Sequence, residues 1–271
     1  MYRFSYLLKI AFIFFTLSSL SCATRGELIS ISSSDGESLL NLLVTKRPKQ
    51  AQFVGQVKVA GAALGVFPVN VQSDVVMQIP NRVHWAVRSF FGQPTHVLVV
   101  DGDHGSWLDM ISEGVPVLYT GNPNYFLQTI FGLESLVVKD FIWLWWGQLP
   151  DYKWEIQDVL YNVKRRIHVM FLNNEKGQTW QITLDNKRQI QQVKVSWNNE
   201  SLWALDLEKY RTEGQRAYPT KLIWQVAKEG QAPIRFSLEE GSIQEPLIAE
   251  EAFSSPEIPG MEIRPWIQGL Q

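Results

Sequence analysis

The chain has 271 residues, of which 45% are hydrophobic, 12% aromatic and 19% charged; it is too apolar to be disordered and long enough for one large domain or two small ones. With 25 basic against 27 acidic side chains and a net charge of -2, it has no long-range field for gripping a polyanion, which argues against nucleic-acid binding. A single cysteine and four histidines exclude an internal disulfide and a cysteine-rich zinc site, and no phosphate loop, CxxC pair or HExxH motif calls for a cofactor or metal.

Residues 1–21 read as a signal peptide. Arg3 and Lys9 are followed by an apolar run, Ile10 to Leu17, that is shorter than the roughly 20 residues needed to span a bilayer. The segment Leu17-Ser-Ser-Leu-Ser-Cys22 resembles a lipobox, departing from its commonest form at Ser19 and Leu20. That resemblance implies cleavage before Cys22, acylation of its thiol by chains of the palmitate type, and a stable membrane anchor, since three chains exceed the two that suffice. Ala23, rather than an aspartate, follows, which implies sorting to the bacterial outer membrane with the chain facing the periplasm. An ordinary secretory signal followed by an incidental cysteine is the alternative. Residues 22–34, rich in serine, read as a tether.

A domain is expected over residues 35–245. Asp35 is positioned to cap a short helix whose Leu39, Leu40, Leu42 and Leu43 make an apolar stripe before Pro48. From Phe53 the period becomes two. Phe53, Val57 and Val59 alternate with polar residues, then Phe67, Val69, Val71, Val75 and Met77, then Val83, Trp85 and Val87 opposite Arg82, His84 and Arg88. After a turn at Gly92-Gln-Pro94 come His96 to Val100, Ser106 to Met110 and Val115 to Thr120, with glycines 102, 105, 114 and 121 expected in turns. An antiparallel meander with one wet face is the economical topology.

Asn122-Pro123 opens a segment to about residue 147 that breaks this rhythm and predicts one or two helices. Its Phe126, Ile130, Phe141, Trp143, Trp145 and Trp146 leave few polar faces, while Lys139 and Asp140 interrupt any membrane-length run. Such helices are expected to lie across a sheet. Strands resume around Trp154, Ile167, Trp180, Val193, Leu202, Lys221 and Ile234. The fold class is therefore mainly β with helices (α+β): a large antiparallel curved sheet forming an open half-barrel, its concave face lidded by short helices. Past Glu245 four prolines and scattered acids read as an extended tail over residues 246–271.

Three segments then resemble the LolB-like family of outer-membrane lipoprotein receptors, part of the LolA/LolB lipoprotein localisation group. Arg82-Val-His-Trp-Ala-Val-Arg-Ser-Phe-Phe-Gly-Gln93 resembles the family's strand and loop with an exposed apolar residue before glycine. Phe141-Ile-Trp-Leu-Trp-Trp-Gly-Gln-Leu-Pro150 is similar to its Trp-rich helix, and Gly177-Gln-Thr-Trp180 to a later strand entry. The likeness runs from about Asp35 to Leu238; the long tail and the paired Phe depart from it. It implies a protein that is not an enzyme and that takes acyl chains of lipoproteins from a LolA-like periplasmic carrier and helps insert them into the outer membrane. It also implies that Phe90 and Phe91 form a membrane-insertion loop, and that Val83, Trp85, Val87, Phe126, Ile130, Phe141, Trp145 and Trp146 form the acyl-chain cavity and its lid.

Each feature has a plainer reading. Phe90 and Phe91 fold back onto the barrel edge, and the tryptophans are ordinary lid-to-sheet packing. Asp101-Gly-Asp-His-Gly-Ser106 brings together carboxylates, an imidazole and a hydroxyl, but between alternating strands it reads as a hairpin rather than a catalytic or metal site. A lipid or glycolipid carrier or envelope sensor on the same fold, or a structural lipoprotein that docks through its tail, are the competing functions.

Overall fold

The computed structural model describes residues 27–45, 52–61, 70–111, 114–125, 127, 136–214, 216–226, 232–244 and 249–266. Cys22, Phe67, Val69, Phe126 and Ile130 lie outside these described residues.

Among the described residues fifteen strands form one open sheet, with β1 (Leu28–Ser30) and β15 (Glu262–Pro265) as its edges. Two antiparallel meanders compose it. The first is β2 (Gln52–Ala60), β3 (Asn70–Gln78), β4 (Arg82–Arg88), β5 (Pro94–Asp101), β6 (His104–Asp109) and β7 (Val117–Gly121). The second is β8 (Glu155–Asn162), β9 (Ile167–Asn173), β10 (Gln178–Leu184), β11 (Ile190–Trp197), β12 (Glu200–Glu213), β13 (Arg216–Val226) and β14 (Ile234–Gln244). The chain's last long strand, β14, pairs antiparallel with its first, β2, from Arg235↔Ala60 to Gln244↔Gln52. That long-range ladder makes one sheet of the two meanders.

Alternation sends one row of each strand to a common apolar core: Val57 and Val59, Val83, Trp85 and Val87, Trp180 and Ile182, Val193 and Val195, Trp203 and Leu205 are all buried there. The opposite row of the second meander is polar and cross-paired: Gln192 Nε2 donates to Asp206 Oδ1 at 2.6 Å, and Lys221 meets Glu208 at 2.7 Å.

Helix α1 (Ser33–Thr45) places Leu39 and Leu43 in the core. Its cap is Ser32 rather than Asp35. Ser32 Oγ accepts the Asp35 N–H at 3.2 Å, the N-cap bond to the third helical residue, and donates to the Asp35 carboxylate at 2.6 Å. Residues 123–125 form a helical turn, with Asn122 Oδ1 accepting the Asn124 N–H at 2.9 Å. Helix α2 (Val138–Trp145) follows, and its first-turn Val138 N–H donates to Asn124 Oδ1 at 2.9 Å.

Two expectations change. Gly102 and Gly114 occupy turns with positive φ, but Gly105 and Gly121 face each other within the β6–β7 ladder. A Cβ on Gly121 would lie 3.2 Å from Trp266 Cβ, so glycine there admits the returning C-terminal segment. That segment is not a free extension. Residues 250–253 form a 3-10 turn that buries Phe253 against Val97, Val99, Leu108 and Leu118 on the outer face, and β15 adds a parallel edge beside β7. β5 is consequently buried on both faces, which explains its continuous apolar run.

Candidate functional site

The concave face carries the site that the sequence points to, and α2 fills it. Phe141 and Trp145 project from α2 onto Trp85 of β4 at ring separations of 6.1 and 6.0 Å. They also reach the second meander: Phe141 stacks on Trp224 at 5.4 Å, and Trp145 meets Phe236 at 5.8 Å. Trp145 further contacts Phe53 at 6.1 Å. Val83, Trp85, Val87, Phe141, Trp145 and Trp146 are thus brought together in one interior, all buried. These side chains touch one another here, the contacts that lid-to-sheet packing makes.

The helix ends on a Schellman motif. The Gly147 N–H donates to Leu144 O at 2.9 Å and the Gln148 N–H to Trp143 O at 3.0 Å, with Gly147 at φ 64. Leu149 and Pro150 then turn the chain back into the core. The indole N–H groups of Trp145, Trp146, Trp203 and Trp224 are buried without a hydrogen-bond partner among the described residues.

One acid sits in this lid. Asp140 is buried in the first turn of α2, where its Oδ2 accepts the Tyr152 hydroxyl at 2.6 Å. Lys176, from the β9–β10 turn, donates to the same hydroxyl at 2.8 Å and lies over the Tyr152 ring at 4.6 Å. Burial pushes the Asp140 carboxyl up to about 6, opposed by the Tyr152 hydrogen bond and the Lys176 and Lys139 charges. Burial likewise raises the Tyr152 phenol, with Asp140 adding to the effect. This latch ties α2 to the second meander. An acid within an otherwise apolar helix was its visible signal, while its partners 12 and 36 residues away had none.

At the β4–β5 hairpin, Phe90 is 98% and Phe91 87% exposed, so neither folds back onto the barrel. The Ser89 N–H donates to Gln93 O at 2.7 Å and the Gly92 N–H to Ser89 O at 2.9 Å, closing a tight turn that Gly92 permits with φ 80. The two rings meet edge to face at 5.6 Å and otherwise face outward. Ile111 and Trp197, also more than half exposed, lie at the same ends of their strands. Beneath Phe90 a cleft of about 650 Å³ is lined by Val71, Val87 and Ile111, with Lys58, Arg88 and His96. Arg88 is held by Asp74. His96 is buried, stacked on Trp107 at 5.2 Å, and held below its ordinary pKa by desolvation against the opposing pull of Asp109.

Asp101-Gly-Asp-His104 forms the β5–β6 turn, with Asp101 paired to Arg82 at 2.7 Å and Ser106 bonded to Ser255 at 2.9 Å. Among the described residues no group of three or more His, Cys, Asp or Glu is placed to hold a metal ion, and no helix is long and apolar enough to cross a membrane.

No family model and no curated protein matches this sequence. Solved structures of similar shape include the following three. A LolA superfamily protein from Nitrosomonas europaea aligns with TM-score 0.49 and 11% identity, over 83% of this chain and 99% of its own. A putative outer membrane lipoprotein-sorting protein domain from Vibrio parahaemolyticus gives 0.49 and 7%, over 82% and 97%. A DUF1329 family protein from Desulfovibrio piger gives 0.47 and 11%, over 82% and 96%.

Proposed function

We propose that this chain is an envelope lipoprotein that accepts acyl chains from a LolA-like periplasmic carrier onto its concave face and passes them into the outer membrane. The observation that carries this reading is the placement of two bare phenylalanines on the hairpin whose strand, β4, also supplies Val83, Trp85 and Val87 to the aromatic interior. A soluble domain gains nothing in water from two exposed rings at a rigid turn, but each ring contributes about 1.5–3 kcal/mol when an apolar phase covers it.

In this reading the hairpin enters the acyl layer while cargo leaves the concavity beside it. α2 is the lid: it yields its place against Trp85, Trp224 and Phe236 when chains enter, and the Asp140–Tyr152–Lys176 latch holds it when they are absent. Carrying a lipid chain bare through water costs about 0.8 kcal/mol per CH₂, so a covered path between two apolar sites is required. No nucleotide is needed at this end, since a difference of about 1.4 kcal/mol between carrier and acceptor already biases transfer tenfold. Anchoring through Cys22 and residence in the outer membrane belong to the same proposal.

The test is transfer. Carrier from the same organism is loaded with an acylated lipoprotein and mixed with this chain from residue 23 onward, and the cargo that changes hands is counted. Passage to the wild-type chain is expected, with Phe91→Glu accepting cargo normally but failing to release it to vesicles. No passage, despite binding of a free fatty-acid probe, overturns the receptor reading and leaves a lipid carrier or sensor. The structural-lipoprotein reading needs a free tail, whereas residues 250–265 are engaged on the chain's own outer face and edge.

A further inference from the structure

The end of the sheet opposite the Phe hairpin has a different chemistry. The register fixes which turns share that end: β8 and β9 meet there at Asn162↔Ile167, β10 and β11 at Leu184↔Ile190, and β12 and β13 at Glu213↔Arg216. The first of these turns is Val163-Lys-Arg-Arg166, all four exposed, and the second carries exposed Lys187 and Arg188. Lys187, Arg188 and Arg216 line one shallow cleft. The Arg188 charge also reaches β9, where it joins desolvation in lowering the His168 pKa.

The acids of the 185–189 and 213–216 turns accept hydrogen bonds. Asp185 accepts the backbone N–H groups of Lys187 at 2.8 Å and Gln189 at 2.9 Å, and Glu213 accepts the Tyr218 hydroxyl at 3.2 Å. Arg165, Arg166, Lys187 and Arg188 have no side-chain partner among the described residues. Apolar side chains stand beside them: Val163 is 54% exposed, and Leu28 and Ile29 of β1 are 51% and 43% exposed. Leu28 pairs with Asn162, next to Val163. A basic rim studded with exposed aliphatic residues, on a chain whose net charge is -2, is a surface for an anionic layer with an apolar phase beneath it.

The position of β1 identifies which layer. Leu28 is the sixth residue after Cys22, and six residues span at most about 21 Å. We infer that the rim built from turns 163–166 and 185–189 together with Leu28 and Ile29 is a docking surface for the anionic headgroups of the membrane that holds the tether. The inference rests on the lipid-anchored reading above only for the choice of membrane. With β1 paired, the protein rests on this rim and turns the Phe hairpin, about 25 Å away along the strands, toward an arriving carrier. Unloading through the hairpin then requires the domain to tip over, or β1, three residues long and exposed, to peel from β8.

The experiment needs neither cargo nor carrier. The chain from residue 22 with Cys22→Ser, which retains every described element, is floated with phosphatidylcholine vesicles with or without about one-third phosphatidylglycerol. Binding that is tighter to the anionic vesicles than to the neutral ones, and loses that difference on raising salt, is expected, because salt screens the headgroup attraction. Arg165→Gln, Arg166→Asn and Lys187→Gln together should weaken binding about 100-fold, at about fivefold per charge. Asn suits the positive φ of 54 at Arg166, and unchanged melting would show that the fold is intact. Equal binding to neutral vesicles, or binding indifferent to the triple substitution, overturns the inference. So does a triple variant that binds vesicles normally but no longer accepts cargo, since the rim then serves a protein partner. Absence of lipoprotein transfer with vesicle binding intact would remove the receptor reading and leave the docking surface standing.

Discussion

The two meanders are built from the same alternating strands yet present opposite surfaces. In the first, β2 to β7, the outer face carries a second apolar layer, Val97, Val99, Leu108 and Leu118 beneath Phe253, and its β4–β5 hairpin ends in two bare aromatic rings. In the second, β8 to β14, the outer face is wet and laced with cross-strand polar pairs such as Gln192–Asp206 and Lys221–Glu208, and its turns at the other end are basic. Strand periodicity makes the shared concave core. What each meander offers its surroundings is set by its turns and by whichever segment returns to cover it. Helix α2 lies between them, its rings on Trp85 of one and on Trp224 and Phe236 of the other.

The sharpest way to break this contrast is at the hairpin. Phe90→Glu with Phe91→Glu removes about 3–6 kcal/mol of partitioning into an apolar phase, so release of cargo to vesicles should fall at least about a hundredfold. The melting temperature should not move, because both rings are exposed; a large loss of stability would mean that they belong to the core. Next in size is Trp145→Ala, expected to cost about 3–5 kcal/mol. Because Trp145 touches both meanders, hydrogen exchange should accelerate in β2 and β4 and in β14 alike. Acceleration confined to one meander would show that the lid serves that side alone.

Phe253→Ala should divide them. It removes a ring from the outer face of the first meander only, at about 3 kcal/mol, and exchange should quicken in β5 to β7 while β10 to β12 hold. Smaller still is Asp140→Asn, which tests the lid's tie to the second meander. Burial holds the Asp140 carboxyl at about 6 against an ordinary 3.8, so the folded protein keeps a proton that the unfolded chain releases. The stability this supplies is complete below about pH 4 and is lost as pH rises through about 6. The amide carries no charge to desolvate and still accepts from Tyr152. The variant should therefore gain on the order of 2 kcal/mol at pH 7.5 and show a flatter stability profile between pH 4 and 6. A profile identical to wild type would mean that Asp140 titrates as a solvated acid.

Much of the fold is legible from the residues because it is written locally. The period of two in Arg82 to Arg88 places Val83, Trp85 and Val87 on one face, and the structure buries all three. The apolar run to about residue 147 predicts one or two helices that lie across a sheet, and α2, Val138–Trp145, is buried there and ends at Gly147. The half-barrel follows, since strands of this number with one apolar row must curl around whatever fills the concavity. Of the site, the sequence offered the hairpin and the tryptophans as candidates but left their exposure undecided.

What the tertiary structure alone decided depends on partners far apart in the chain. Local pattern carries no address for β14 beside β2, a ladder joining Gln244 to Gln52, or for Phe253 over Leu108. The tail, read as extended from its prolines, became a strap because β5 and β6 kept apolar side chains outward that water would otherwise meet. The cap passed from Asp35 to Ser32 because β1 ends at Ser30 and leaves Ser32 at the turn into α1. The partners of Asp140 and the gathering of two basic turns on one rim arise only when antiparallel register brings alternate turns to the same end. Periodicity, charge and turn residues are properties of neighbours along the chain, and the sequence states them outright; exposure and coupling belong to neighbours in space, fixed only once long-range pairing has closed.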